Sequence, residues 1–167
     1  MGKQSLINWD GRHKSWAFWW SVGFGSGLLK PAPGTWGSLF GLCIGYILLQ
    51  QPFALLALLG GSLVITGIST VCISLIEEAS GIHDAPEIVV DEIAGQWVAL
   101  APLAILPYSW FELSISFFLF RLFDIWKPWP IGPLDKKVSG GFGVMIDDLV
   151  AGIFAAISLV LIIQIIL

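Results

Sequence analysis

The sequence predicts an all-α fold: a polytopic helix bundle embedded in a membrane, with about five spans in a single domain covering 1–167. Three observations predict it. First, 56% of the 167 residues are hydrophobic and only 12% are charged, whereas soluble domains carry about 25% charged residues, and mean hydropathy is +0.86. Second, the apolar residues fall in long runs rather than in the short alternating segments of a barrel. A backbone crossing lipid must satisfy its own hydrogen bonds, so such runs read as helices. Third, the charges collect on one side of the predicted bundle.

Segment 1–22 mixes Asp10, Arg12, His13 and Lys14 with Trp9, Trp16, Trp19 and Trp20. It lacks the apolar core and small-residue site of a cleaved signal, and reads as a cytoplasmic or interfacial segment. Apolar runs then predict spans at about 36–50, 53–76, 88–106, 109–125 and 149–167. The first is shorter than the ~20 residues of a straight span. It either starts earlier or forms a re-entrant pair with 16–29, which is open between span, re-entrant and interfacial placement. Cys43 and Cys72 lie inside apolar runs and read as packing residues. Neither starts a Cys-x5-Arg phosphatase loop, because the sixth residue on is Leu49 or Glu78.

With five spans, Lys3, Arg12, Lys14, Lys30, Arg121, Lys127, Lys136 and Lys137 all fall on one side. The positive-inside rule makes that side cytoplasmic, and Trp126 and Trp129 join the N-terminal tryptophans at its boundary. The acids follow, Glu112 excepted. The polar chemistry is therefore expected on the inner face.

Four stretches meet there. "GFGSGLLKPAPGTWGS" (23–38) exposes backbone N–H groups and the hydroxyls of Thr35 and Ser38 before a helix, which suits phosphate. Its bland alternative is a helix entry capped by Thr35 or Ser38. "VVDEIAGQW" (89–97) places Asp91 and Glu92 within an apolar run. Adjacent helical residues point about 100° apart, so the pair suits two ligand positions, or one metal ligand and one base. Glu87, one turn earlier, can join the pair or sit at a solvated helix start. Glu77 and Glu78 read as solvated loop acids. "FRLFDIWKPWPIGP" (120–133) puts Arg121 and Asp124 on one helix face. With Lys127, Arg121 offers a phosphate clamp, against a structural Arg121–Asp124 pair. "GGFGVMIDDLVAGI" (140–153) reads as a glycine-rich loop before Asp147 and Asp148, of which one suffices as an N-cap. Together these are oxygen ligands and phosphate donors at one depth, the toolkit of a hard cation such as Mg²⁺ and of phosphoryl transfer.

The motifs "PGTWGS", "VVDEIAGQW", "FRLFDIWKPWPI" and "MIDDLVAGI", in this order over about 23–153, resemble those of the phosphatidylglycerophosphatase A family. The resemblance implies a bacterial, Mg²⁺-dependent, multi-pass enzyme of the inner (cytoplasmic) membrane. It implies hydrolysis of phosphatidylglycerol phosphate to phosphatidylglycerol and phosphate, within phospholipid synthesis, at a site facing the cytoplasm. It implies Asp91, Glu92, Asp124 and Asp148 as the acidic catalytic and metal-binding site, with Asp147 beside them. Thr35, Arg121 and Lys127 resemble the phosphate-binding partners, and Ser38 and Lys30 are carried with them. The expected partners are the lipid substrate and the bilayer, with no nucleic acid.

Two rival functions are weighed. A CDP-alcohol-type phospholipid transferase would carry an Asp-Gly…Ala-Arg signature, and after Asp10-Gly11 no Ala-Arg follows. A divalent cation carrier would line a path with acids, but only Glu112 maps to the outer side. The Ser-Gly-His signature of histidine-based lipid phosphatases is also missing. Of the two histidines, His83 reads as a solvated loop residue, with a proton-donor role as the alternative.

Overall fold

The computed structural model describes residues 4–166, with the side chains of 135–137 and 166 left out. Lys3 and the side chains of Lys136 and Lys137, placed above in the charge map, lie outside the described residues. Among those described, every regular element is helical: α1 (Trp16–Ser21), α2 (Pro33–Leu49), α3 (Ala54–Ser80), α4 (Val90–Leu100), α5 (Trp110–Trp126), α6 (Ile131–Lys137) and α7 (Gly140–Ile166), with short 3-10 turns between.

α3 and α7 are long and apolar enough to cross a membrane, and α2 is a shorter apolar helix. The surface of α3 points to membrane association. The helix turns Ser62, Thr66 and Ser69 inward and leaves Leu56, Leu63, Val64 and Val71 exposed. A water-soluble helix does the reverse. Apolar surface on this scale marks membrane association, and small polar residues at helix contacts are a membrane habit. Ser62 Oγ donates to the Ala94 carbonyl at 3.0 Å, joining α3 to α4.

α4 is the hub. It packs against α2, α3, α5 and α7; around it α2 touches α3 and α5, and α7 touches α3 and α5. The four helices thus ring α4, with α3 across from α5 and α2 across from α7. The α2–α4 contact is made by glycine. A Cβ at Gly37 would lie 2.5 Å from Val89 Cβ, and one at Gly45 would lie 2.4 Å from Leu100 Cδ1. Trp97 Nε1 locks the same face by donating to the Gly41 carbonyl at 2.9 Å.

The run at 88–106 forms no single continuous helix. Its α-helix has 11 residues, about 16 Å at 1.5 Å per residue. A 3-10 turn, Ala101–Ala104, carrying Pro102, follows. The run is apolar because protein encloses it: Ile93 to Trp97, Ala99 and Leu100 are all buried. Segment 16–29 is not a span either. It is a six-residue helix and a 3-10 stretch with left-handed Phe24 (φ 54°) and Gly25 (φ 105°). Trp20 Nε1 donates to Ser69 Oγ at 2.9 Å, tying it to α3.

Candidate active site

The start of α2, the end of α3, the start of α4, the end of α5 and the start of α7 line one cavity of about 520 Å³. Asp91 and Glu92 enter it from the first turn of α4, and Asp147 and Asp148 from α7. α7 begins at Gly140, so the glycine-rich stretch is helix rather than loop. Asp147 and Asp148 are therefore buried within the helix and neither is its N-cap. Glycine here serves contact: a Cβ at Gly141 would lie 2.1 Å from the Thr70 carbonyl oxygen.

One carboxylate oxygen from each of Asp91, Glu92 and Asp148 lies within 4.8 Å of the other two. Two glycines bring these acids together. A Cβ at Gly95 would lie 2.5 Å from the Asp148 carbonyl oxygen, and one at Gly152 would lie 2.4 Å from the Gly95 carbonyl oxygen. Each glycine stands four residues after an acid, Asp91 and Asp148 respectively. The sequence reading passed over these glycines, although the shared Asp-x-x-x-Gly spacing is visible in both motifs.

Arg121 is held on three sides. Its Nη1 donates to Asp124 Oδ2 at 2.5 Å and to Ser38 Oγ at 3.2 Å, and stands 3.8 Å from Glu92 Oε1. Ser38 in turn donates to the Gly34 carbonyl at 2.8 Å. Gly34 leaves room for this cluster, because a Cβ there would lie 2.2 Å from Glu92 Oε1 and 3.2 Å from both Arg121 Nη atoms. Lys127, at the left-handed C-cap of α5, pairs with Asp147. Arg121 thus forms the structural pair with Asp124 and also lines the cavity.

Five carboxylates (Asp91, Glu92, Asp124, Asp147, Asp148) share this end of the cavity with two cations, Arg121 and Lys127. Asp91 Oδ1 and Glu92 Oε2 are buried without a hydrogen-bond partner. Buried carboxylate oxygens in such a state are costly. The chemistry of the donor set, all hard oxygens, fits a divalent cation such as Mg²⁺.

Other expected site residues lie elsewhere. Lys30 is exposed and Thr35 half-buried, and neither lines the cavity. Ser38 is buried behind Arg121 rather than lining the cavity. Neither hydroxyl caps α2, whose N-cap is Ala32, with Pro33 opening the helix. Glu87 is neither solvated nor in the acidic cluster. It is buried, accepting hydrogen bonds from Ser5 Oγ and from the Leu6 amide, the latter at 3.0 Å. Glu77 is also buried, and it lines the cavity with His83.

The profile of the phosphatidylglycerophosphatase A family matches residues 19–163. A Haemophilus influenzae protein named phosphatidylglycerophosphatase A is 44% identical over 137 residues, 82% of this chain and 82% of its own. The Escherichia coli K12 protein of that name is 40% identical over 141 residues, 81% of this chain and 77% of its own. A Bacteroides thetaiotaomicron protein, provisionally named a phosphatidylinositol-3-phosphatase, is 37% identical over 145 residues, 81% of this chain and 86% of its own. No solved structure matches the chain.

Proposed function

Because the chain belongs to the phosphatidylglycerophosphatase A family, a family of phosphatases, we propose that it hydrolyses the terminal phosphomonoester of phosphatidylglycerol phosphate with Mg²⁺ as cofactor. The carrying observation is the meeting of Asp91, Glu92 and Asp148 within 4.8 Å in a cavity that also holds Arg121. The product lipid enters glycerophospholipid synthesis. The chain is a multi-pass protein of the bacterial inner membrane with the cavity facing the cytoplasm. The positive-inside rule, applied to the cationic residues of the N-terminal segment and of the α5–α7 connection, supports that orientation. α2, α3, α5 and α7 cross or nearly cross the bilayer, and α4 stands inside them.

Asp91, Glu92 and Asp148 would hold Mg²⁺, with Asp124 and Asp147 beside them. Bound there, the ion supplies charge neutralisation at the phosphoryl oxygens and acidifies water. The chain's own residues do the rest. Acyl chains remain in the bilayer while the phosphomonoester enters the cavity. Arg121, fixed by Asp124 and Ser38, donates hydrogen bonds to phosphoryl oxygens. Lys127, steered by Asp147, adds a second positive charge. Water attacks phosphorus in line, its oxygen forming the new P–O bond as the bond to the headgroup oxygen breaks. A carboxylate oxygen of Asp91 or Glu92 that does not hold the ion takes the water's proton, and the departing alkoxide takes up a proton from solvent to leave as an alcohol.

The relative with the phosphoinositide name makes phosphatidylinositol 3-phosphate the competing substrate. Phosphate release by the purified protein in mixed micelles tests the choice. The expected result is turnover of phosphatidylglycerol phosphate at a kcat/KM at least about tenfold above that for the phosphoinositide. The reverse preference would overturn the substrate assignment. Release of CMP from CDP-activated lipid, or divalent flux into proteoliposomes without phosphatase activity, would favour the rival functions.

A further inference from the structure

The phosphate chemistry uses α4, α5 and α7, yet the same cavity has a polar wall on α3 that this chemistry leaves idle. Glu77 lines it, with a side chain only 10% exposed, and His83, 78% exposed, stands beside it with Nδ1 3.5 Å from Glu77 Oε2. The other oxygen, Oε1, accepts from the Asp84 amide at 3.4 Å. Both contacts are long for charge-assisted hydrogen bonds, which favour about 2.7–2.9 Å. A carboxylate has about four acceptor positions. Glu77 is therefore a buried acceptor with capacity to spare, turned to a space that a ligand enters.

Its position within the ring of helices gives that capacity a direction. α3 lies across α4 and α7 from α5, so Glu77 faces the cavity from the wall opposite Arg121 and Asp124. At about 520 Å³ the cavity falls among sites that enclose a small molecule, about 300–1,000 Å³, and has room beyond one phosphoryl group. A carboxylate repels phosphate and accepts from hydroxyl. The wall at Glu77 thus suits the uncharged, hydroxyl-bearing part of a ligand whose phosphate lies toward Arg121.

We propose that Glu77, its carboxylate steadied by His83, binds the free hydroxyl of the polyol headgroup that links the reacting phosphate to the lipid. The inference rests on the reading above that the substrate is a phosphorylated polyol lipid. Glu77 acts on selectivity and on the aim of the phosphate. A glycerol headgroup offers one such hydroxyl and an inositol ring several, so the chemistry is shared and the two are told apart by assay.

A substrate–variant cycle tests it on the full chain. Wild type and Glu77→Gln are compared on phosphatidylglycerol phosphate and on the analogue whose free headgroup hydroxyl is replaced by hydrogen. Loss of the hydroxyl should cost wild type about tenfold in kcat/KM, the scale of a hydrogen bond to a charged group, and should cost Glu77→Gln less than about twofold. Phosphatidylinositol 3-phosphate, run in parallel, should lose about tenfold in the variant if the ring polyol also reaches Glu77. Equal hydroxyl dependence in wild type and variant overturns the proposal while leaving the phosphatase reading intact. A wild type that releases no phosphate from phosphatidylglycerol phosphate overturns that reading first. Should Glu77→Gln fail to fold, His83→Ala, at an exposed position, takes its place, with reduced hydroxyl dependence expected and unchanged dependence contradicting.

Discussion

Gly95 of α4 and Gly152 of α7 meet backbone to backbone, so that a Cβ on Gly152 would stand 2.4 Å from the Gly95 carbonyl oxygen. Asp91 and Asp148 each lie four residues before one of these glycines, one turn nearer the cavity. The separation of the two carboxylates is thus set by the closest approach of their helices.

Gly152→Ala should push α7 from α4, lower thermal stability and cut turnover by about 10², the scale of a misplacement of an ångström in a reacting site. Gly67→Ala is the control. Gly67 is exposed on α3 with nothing within 4 Å of its added Cβ. That variant should retain activity and gain about 0.5–1 kcal/mol. Thermal melts and initial rates of both variants check the pair, and full activity in Gly152→Ala would contradict the account.

Arg121 holds Ser38, Asp124 and Glu92 with one planar group. A lysine supplies the charge but not the fork. Arg121→Lys should lower kcat/KM by about tenfold or more and weaken competitive inhibition by inorganic phosphate. Ser38→Ala removes one support and should cost about fivefold, equivalent to about 1 kcal/mol. Steady-state kinetics with phosphate as inhibitor separate the two effects.

Glu87 tests the boundary between site and scaffold. It holds Ser5 and Leu6 rather than the acidic cluster. Glu87→Ala should keep kcat within about threefold while costing about 1.5–3 kcal/mol for the lost bonds to a charged acceptor. Limited proteolysis should then cut the N-terminal segment faster. A kcat loss as large as that of an Asp148 variant would place Glu87 in the catalytic group instead.

The residues of the site were more legible in the sequence than the frame that holds them. Asp91, Glu92, Asp124, Asp148, Arg121 and Lys127 declared themselves because charges in apolar runs are expensive and so draw a functional reading. α4 misled because hydropathy reports what surrounds a side chain only as apolar, and cannot separate lipid from the ring of α2, α3, α5 and α7. The start of α7 was hidden by Gly140, Gly141 and Gly143, which together read as a loop, although Gly141 packs against the Thr70 carbonyl of α3 and Gly143 against the Val138 carbonyl just before the helix. Glu77 and Glu87 looked solvated because their partners, His83 and Ser5, come from neighbouring loops or distant chain that spacing within a helix does not reveal.

The most direct test of the central claim is Mg²⁺-dependent phosphate release from phosphatidylglycerol phosphate by wild type, Asp91→Asn and Asp148→Asn. The account predicts that wild type falls silent in EDTA and recovers with Mg²⁺. It also predicts that each variant loses at least about 10² in kcat, and that the double variant loses little more than either alone, because the carboxylates act as one unit. Near-full wild-type activity in EDTA, or near-normal turnover in Asp148→Asn, would contradict it.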